Sequence, residues 1–144
     1  MANLEISGFD ELNAAIRRIG TLPPSVKTEA LDKMAAVALD KIRSTGETMG
    51  VRDPESGVHI LDKLTTTKAK TTESGGYEDV TFSGSRKRGK TTTRNAEIAF
   101  INEYGKTGQP ARPFVGQAMT RNENAIADPG IDVIGDWIEK EFNK

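Results

Sequence analysis

The sequence predicts an α+β domain in which N-terminal and C-terminal helices pack on a small antiparallel β-sheet. Three observations predict it. Apolar residues recur at helical spacing near both ends, three to four positions apart at Phe9, Leu12, Ile16 and Ile19 and four and seven apart at Phe114, Ala118 and Ala125. Between them runs a Thr-rich, β-branched stretch, Leu64–Thr72, followed by the alternating Tyr77–Phe82. The length of 144 residues suits a single domain, 1–144, that can bury a core without staples.

Leu4 and Ile6 alternate with polar neighbours as in a short strand. Ser7-Gly8-Phe9-Asp10 is a weak capping box for the first helix, which Gly20 closes. Leu22-Pro23-Pro24 is a sharp start for a second helix. Val26, Ala30, Met34, Val37, Ala38 and Ile42 mark its apolar face, and it reaches roughly to Thr45. Gly46–Gly57 reads as a loop. Leu64–Thr72 and Tyr77–Phe82 read as an antiparallel hairpin turning at Ser74-Gly75-Gly76. A flexible basic loop is expected at 84–94. Asn95 is placed to cap Ala96–Tyr104. A helix is favoured there, although Ala96, Ile98 and Phe100 also alternate as a strand would.

The most informative stretch is Ile98–Ala118, an elbow between two elements. Gly105 fits a helix C′ position with a left-handed backbone. Arg112 precedes a proline and is pushed toward extended geometry. Pro113 fits the first position of the next helix, because its missing N–H would be unpaired there anyway. Phe114 is thereby aimed into a core. Glu103 is placed to pair with Arg112 across the turn. Val115, Met119 and Ile126 continue the helix that follows. Asp128-Pro129-Gly130 then breaks it, with Asp128 as cap and Pro129 as first residue. Ile131, Ile134, Ile138 and Phe142, flanked by Val133 and Trp137, give a final helix.

The charge balance is 20 basic against 21 acidic residues, net -1, so the surface as a whole is no nucleic-acid footprint. There is no Cys, hence no disulfide framework and no thiolate chemistry. The N-terminus has neither the basic region nor the apolar region of a signal peptide. No apolar run is long enough to span a bilayer.

Gly84-Ser85-Arg86-Lys87-Arg88-Gly89-Lys90-Thr91 matches the phosphate-loop pattern G-x-x-x-x-G-K-[ST]. Its context argues against nucleotide binding. Val80-Thr81-Phe82 alternates like a half-exposed strand rather than a buried parallel one. Thr91-Thr92-Thr93 is a poor helix start. Too few residues follow for the remaining βα units of such a fold. The same segment carries Arg86, Lys87, Arg88, Lys90 and Arg94, cations able to neutralise phosphates. No aromatic residue is interleaved for base stacking. Two readings stay open: a solvated loop, or a contact with DNA or with an acidic face of a partner. His59 has no second His or Cys to share a zinc ion. Asp128, Asp132 and Asp136 share a helix face and read as solvated. No nucleophile–base pattern is present. The sequence implies no catalytic residue, no cofactor and no metal site.

Glu103-Tyr104-Gly105, then Gln109-Pro110-Ala111-Arg112-Pro113-Phe114, then Ala118, resembles the C-terminal signature of a bacteriophage family. These are the tail-completion, or head-to-tail joining, proteins of long-tailed phages, minor proteins of the neck and tail. Gly8–Leu12 resembles that family's opening helix. Asp53–Leu64 is loosely similar to its middle, where Thr-Gly-x-Leu-x-x-Ser-Ile is usual. There Ser56 replaces the commoner Thr, and an extra residue follows Gly57.

The resemblance implies a non-enzymatic virion protein of a phage or prophage, located in the neck or tail and in the host cytoplasm during assembly. It implies a homo-oligomeric ring, with six subunits as one order, joined to head-closure and tail-terminator or tail-tube proteins. DNA would pass through that ring, and no membrane is involved. It makes Glu103, Tyr104, Gly105, Arg112, Pro113 and Phe114 the candidate assembly residues. It also implies one continuous C-terminal helix, from which Asp128-Pro129-Gly130 departs. The alternative is a nucleic-acid-binding module using the basic segment 86–94; a small nucleotide-binding enzyme ranks last.

Overall fold

The computed structural model describes Ala14, Arg17 and residues 21–53 and 58–144. The expected strand at Leu4–Ile6, the Ser7 cap and the Gly8–Leu12 segment lie outside the described residues. So does the rest of the first helix, except that Ala14 and Arg17 are helical.

Helix α1 (Pro24–Met49) is the axis of the fold. Pro24 opens it, and the Pro23 carbonyl accepts from Val26 and Lys27. Ala30, Ala35, Ala38, Ile42 and Gly46 form its buried stripe. The helix runs a turn beyond the expected end near Thr45. Gly46 is a packing slot rather than a stop. A Cβ there would lie 2.8 Å from Leu61 Cδ2 and 3.1 Å from Phe114 Cδ2. The true stop is Gly50, where Gly50 N donates to Glu47 O and Val51 N to Gly46 O, with Val51 buried behind them.

A 3-10 turn at Ile60–Lys63 precedes the strands, so β structure begins at Leu64. His59 starts that turn: its Nδ1 accepts from Leu61 N at 3.1 Å, and Nε2 lies 3.2 Å from Val51 O. Strand β1 (Leu64–Thr66) pairs antiparallel with β4 (Val80–Phe82), and β2 (Lys70–Thr72) with β3 (Gly75–Tyr77). The partners shift from Leu64↔Phe82 to Lys70↔Tyr77, so one extra residue is bulged out on the first arm. The predicted hairpin is therefore present, bent at its middle, and it turns at Glu73-Ser74.

The basic segment departs from expectation. It is a second hairpin, β5 (Ser85–Arg88) with β6 (Thr91–Arg94), not a loop. Gly89 takes φ 65 at the first central position of its two-residue turn, as a II′ hairpin turn requires. The Thr91-Thr92-Thr93 run that makes a poor helix makes a good strand.

Helix α2 (Asn95–Tyr104) follows directly, so the helical alternative holds. Helices α3 (Phe114–Arg121) and α4 (Glu123–Phe142) complete the chain. The break expected at Asp128-Pro129-Gly130 is absent: Pro129 lies inside α4, and the joint is at Asn122. Tertiary packing overrides the proline there. A Cβ on Gly130 would meet Met34 Sδ, so α4 lies hard against α1 at that turn. Trp137 sits half-buried on α4. The fold class is α+β: helices packed against small two-stranded antiparallel ladders. One core joins Ile42, Ile60, Leu61, Leu64, Ile98 and Phe114.

Candidate functional site

The elbow can be built residue by residue. Helix α2 ends at Tyr104, and Gly105 N donates to Ile101 O at 2.7 Å. Gly105 takes φ 78 and ψ 175, a region open only to glycine. This is a positive φ as expected, with an extended rather than left-handed ψ. A Cβ there would also lie 2.8 Å from Ala111 N. Lys106 and Gln109 close a tight turn through two backbone hydrogen bonds. Arg112 N then donates to Asn102 O at 2.6 Å, which ties the returning chain to α2.

Pro113 is the cap of α3 rather than its first residue, with φ -74 and ψ 63. Phe114 N donates to Arg112 O at 2.7 Å across it, so Pro113 centres an inverse γ-turn. Phe114 enters the core with 0% exposure and meets Phe82 edge-on, centroids 6.0 Å apart.

Glu103 does not pair with Arg112. Its carboxylate accepts from Val115 N at 2.8 Å and Gly116 N at 2.9 Å. Those are free donors of the first turn of α3, where a carboxylate is favoured by both hydrogen bonding and the helix dipole. One Arg112 nitrogen, Nη1, is instead buried without a hydrogen-bond partner among the described residues. Tyr104 points outward, 68% exposed, and packs against Phe100, centroids 4.6 Å apart.

The basic hairpin is anchored at its base. Arg86 Nη1 donates to Asp53 Oδ1 at 2.6 Å, and these side chains are only 13% and 1% exposed. Asp53 Oδ2 accepts from Ile60 N at 2.7 Å. Arg86 Nε donates to Asn95 Oδ1 at 2.8 Å, and Asn95 Nδ2 donates to Ser83 O at 2.8 Å. Arg86 therefore faces inward and is removed from the expected contact set. Asn95 is the first residue of α2 and bridges this network instead of capping the helix. Lys87, Arg88, Lys90 and Arg94 remain exposed, Arg94 with Glu97 at 3.3 Å. The phosphate-loop pattern lies on strand, turn and strand, with Lys90 in the turn and Thr91 opening β6. That is not the loop-to-helix geometry of a phosphate cradle.

Between α2, the hairpin and the 106–109 turn lies a cleft of about 390 Å3. Arg52, Arg88, Lys106 and Gln109 line it, over Ile98 and Ile101. Asn102, 1% exposed, fixes one wall: its Oδ1 accepts from Arg52 N and its Nδ2 donates to Arg52 O, both at 2.8 Å. Asp53 also borders the cleft, but its charge is matched by Arg86. The cleft is thus suited to an acidic group beside an apolar one. The sequence reading does not pick out Asn102, and it gives Asn95 only as a cap for Ala96–Tyr104. Their signal was present, because both fall on the apolar stripe Asn95, Ile98, Ala99, Asn102.

Asp128, Asp132 and Asp136 are exposed on α4. Among the described residues, no group of three or more His, Cys, Asp or Glu could hold a metal ion. None of the helices among the described residues is long and apolar enough to cross a membrane. Comparison with known proteins found no matching family model, no matching curated protein and no matching solved structure.

Proposed function

We propose that this chain is a structural subunit of the neck of a long-tailed phage or prophage, completing or joining the tail to the head as part of a ring. The observation that carries the proposal is the Glu103–Phe114 elbow. Its resemblance to the tail-completion signature covers four residues with a structural task here. Glu103 holds the start of α3, Gly105 takes a glycine-only conformation, Pro113 sets the γ-turn and Phe114 fills the core. A signature made of fold-determining residues suits an assembly part, whose function is its shape. The ring would meet head-closure and tail-terminator or tail-tube proteins and enclose the passing DNA, with no cofactor.

The test is genetic and structural. Disrupting the gene in the phage that carries it should yield filled heads and finished tails that stay separate under the electron microscope, and complementation should join them. Mass spectrometry of purified particles should detect the chain. Joined, infectious particles that lack it would end the proposal.

A second reading is favoured by one observation: Lys87, Arg88, Lys90 and Arg94 are exposed on a two-stranded ribbon, an element that a DNA major groove admits. Binding to duplex DNA should then fall steeply with salt, and the slope should shrink when these residues are neutralised. Salt-independent or absent binding would dismiss this reading and leave the first standing.

A further inference from the structure

We infer that this chain associates head to tail through two faces of its own. The aromatic, cationic face of α2 and its cleft receives the acidic outer stripe of α4 from the next copy. The inference rests on the ring proposal and assigns the surfaces that would build it.

The first face is unusual for a short helix. Phe100 and Tyr104 are 62% and 68% exposed and touch each other on the outer side of α2. Ile101 continues the apolar surface into the cleft. Arg52 and Lys106 stand at its edge with exposed side chains. Neither takes part in an ion pair among the described residues. Exposed aromatics rimmed by unmatched cations mark an interaction surface rather than a solvated one.

The second face supplies the complement. Asp128, Asp132, Asp136 and Glu139 recur at three- to four-residue spacing along the outside of α4, all exposed, with Lys140 at the edge of the stripe. Ile131 and Phe142 lie along the same side, 61% and 50% exposed. Glu97 also lies on the outer side of α2, but it is paired with Arg94 at 3.3 Å. Each face is therefore an apolar strip bordered by charge, and the net signs are opposite. With 20 basic and 21 acidic residues, the chain is near neutral overall, so this segregation is not a product of net charge. Helices α2 and α4 do not pack substantially on each other within one chain. A contact between them joins two different patches of successive copies. Such contacts close into rings or propagate as filaments. Opposed charges would set the register, and the aromatic pair would supply the buried area.

The experiment is sedimentation velocity on the full chain, at millimolar concentration and low salt. Wild type should self-associate, and raising the salt should weaken it. R52E/K106E, and separately D132K/D136K, should each weaken association on the order of a hundredfold by placing like charges together. Unchanged thermal melts would show that the folds are intact, since all four side chains are exposed. The variant carrying all four reversals should regain association, as should an equimolar mixture of the two doubles. Oligomers indifferent to both reversals would overturn the face assignment while leaving the ring proposal in place. A strictly monomeric wild type would overturn the inference. Mass spectrometry of purified particles would then decide the ring proposal separately.

Discussion

Replacing Phe114 by Ala perturbs the point where the elbow meets the core. Phe114 has 0% exposure, so its ring is wholly withdrawn from water. Burial of such a side chain is worth about 1.5–3 kcal/mol. The edge-on contact with Phe82 adds roughly 0.5–1.5 kcal/mol. The remainder depends on whether neighbours close the gap. Gly46 faces the ring without a side chain to fill the space, and Leu61 is already packed against the same glycine. The cavity should largely persist, giving a total loss of about 3–5 kcal/mol. Urea unfolding followed by circular dichroism measures it as a lower midpoint at unchanged slope.

The same geometry predicts a coupling. Gly46→Ala alone should destabilise, because its Cβ would press on Leu61 and Phe114. In the Phe114→Ala background the added methyl enters vacated space, so the double variant should lose less than the sum of the singles. An F114A protein that unfolds like wild type, or strictly additive losses, would refute this account of the elbow core.

Three further predictions follow from the network around that core. Glu103→Ala should cost about 1–2 kcal/mol through the two α3 donors it leaves without their acceptor, as helix-cap removals do. A cycle with Arg112→Ala should show no coupling, whereas coupling above about 0.5 kcal/mol would restore the rejected ion pair. Arg86→Ala removes one side of the buried Arg86–Asp53 ion pair and should cost about 3–5 kcal/mol, while Lys87→Ala next to it should be near neutral in the same unfolding assay. Burial, reinforced by the neighbouring Asp32 carboxyl and opposed by Thr66, holds the Glu78 carboxyl above its ordinary range. The folded state therefore binds that proton more tightly. Stability tied to neutral Glu78 is full below its unfolded value and is lost as pH rises through the folded one. Glu78→Gln should raise the melting temperature at neutral pH and leave it unchanged below about pH 4; a gain that persists in acid would refute the assignment.

What was legible in the sequence was local. Pro23-Pro24 suits a helix start because a fixed φ and a missing N–H are tolerated in the first turn, a restriction that lies in the residue itself. The Phe114 position was legible because Pro113 and the apolar spacing both speak within a few residues. What failed was set by distant partners. Gly46 reads as a stop until Leu61 and Phe114 are known to fill its missing side chain. Pro129 reads as a break until Gly130 is seen against Met34, with most of a helix already committed on both sides. Asn102 reads as an ordinary polar residue until Arg52, fifty positions earlier, presents its backbone. Glu103 and Arg112 carry opposite charge at turn distance, yet two unpaired helix donors are a better match for a carboxylate than a guanidinium that must be bent back.

Helix α2 shows why such residues matter for assembly. Asn95, Ile98, Ala99 and Asn102 face inward, and each asparagine fixes a neighbouring segment. Asn95 holds the base of the hairpin through Arg86 and Ser83. Asn102 holds Arg52 and, through its carbonyl, the returning chain at Arg112. The outward residues Phe100 and Tyr104 are thereby displayed on a helix whose surroundings are pinned on both sides. Lys87, Arg88 and Lys90 are likewise presented on a ribbon with a locked base, not on a chain that must be ordered at the moment of contact. Preorganisation lowers the entropic cost of association. It also means that a loss of Asn95 or Asn102 should weaken assembly by displacing the contact surface, without removing any residue that touches a partner.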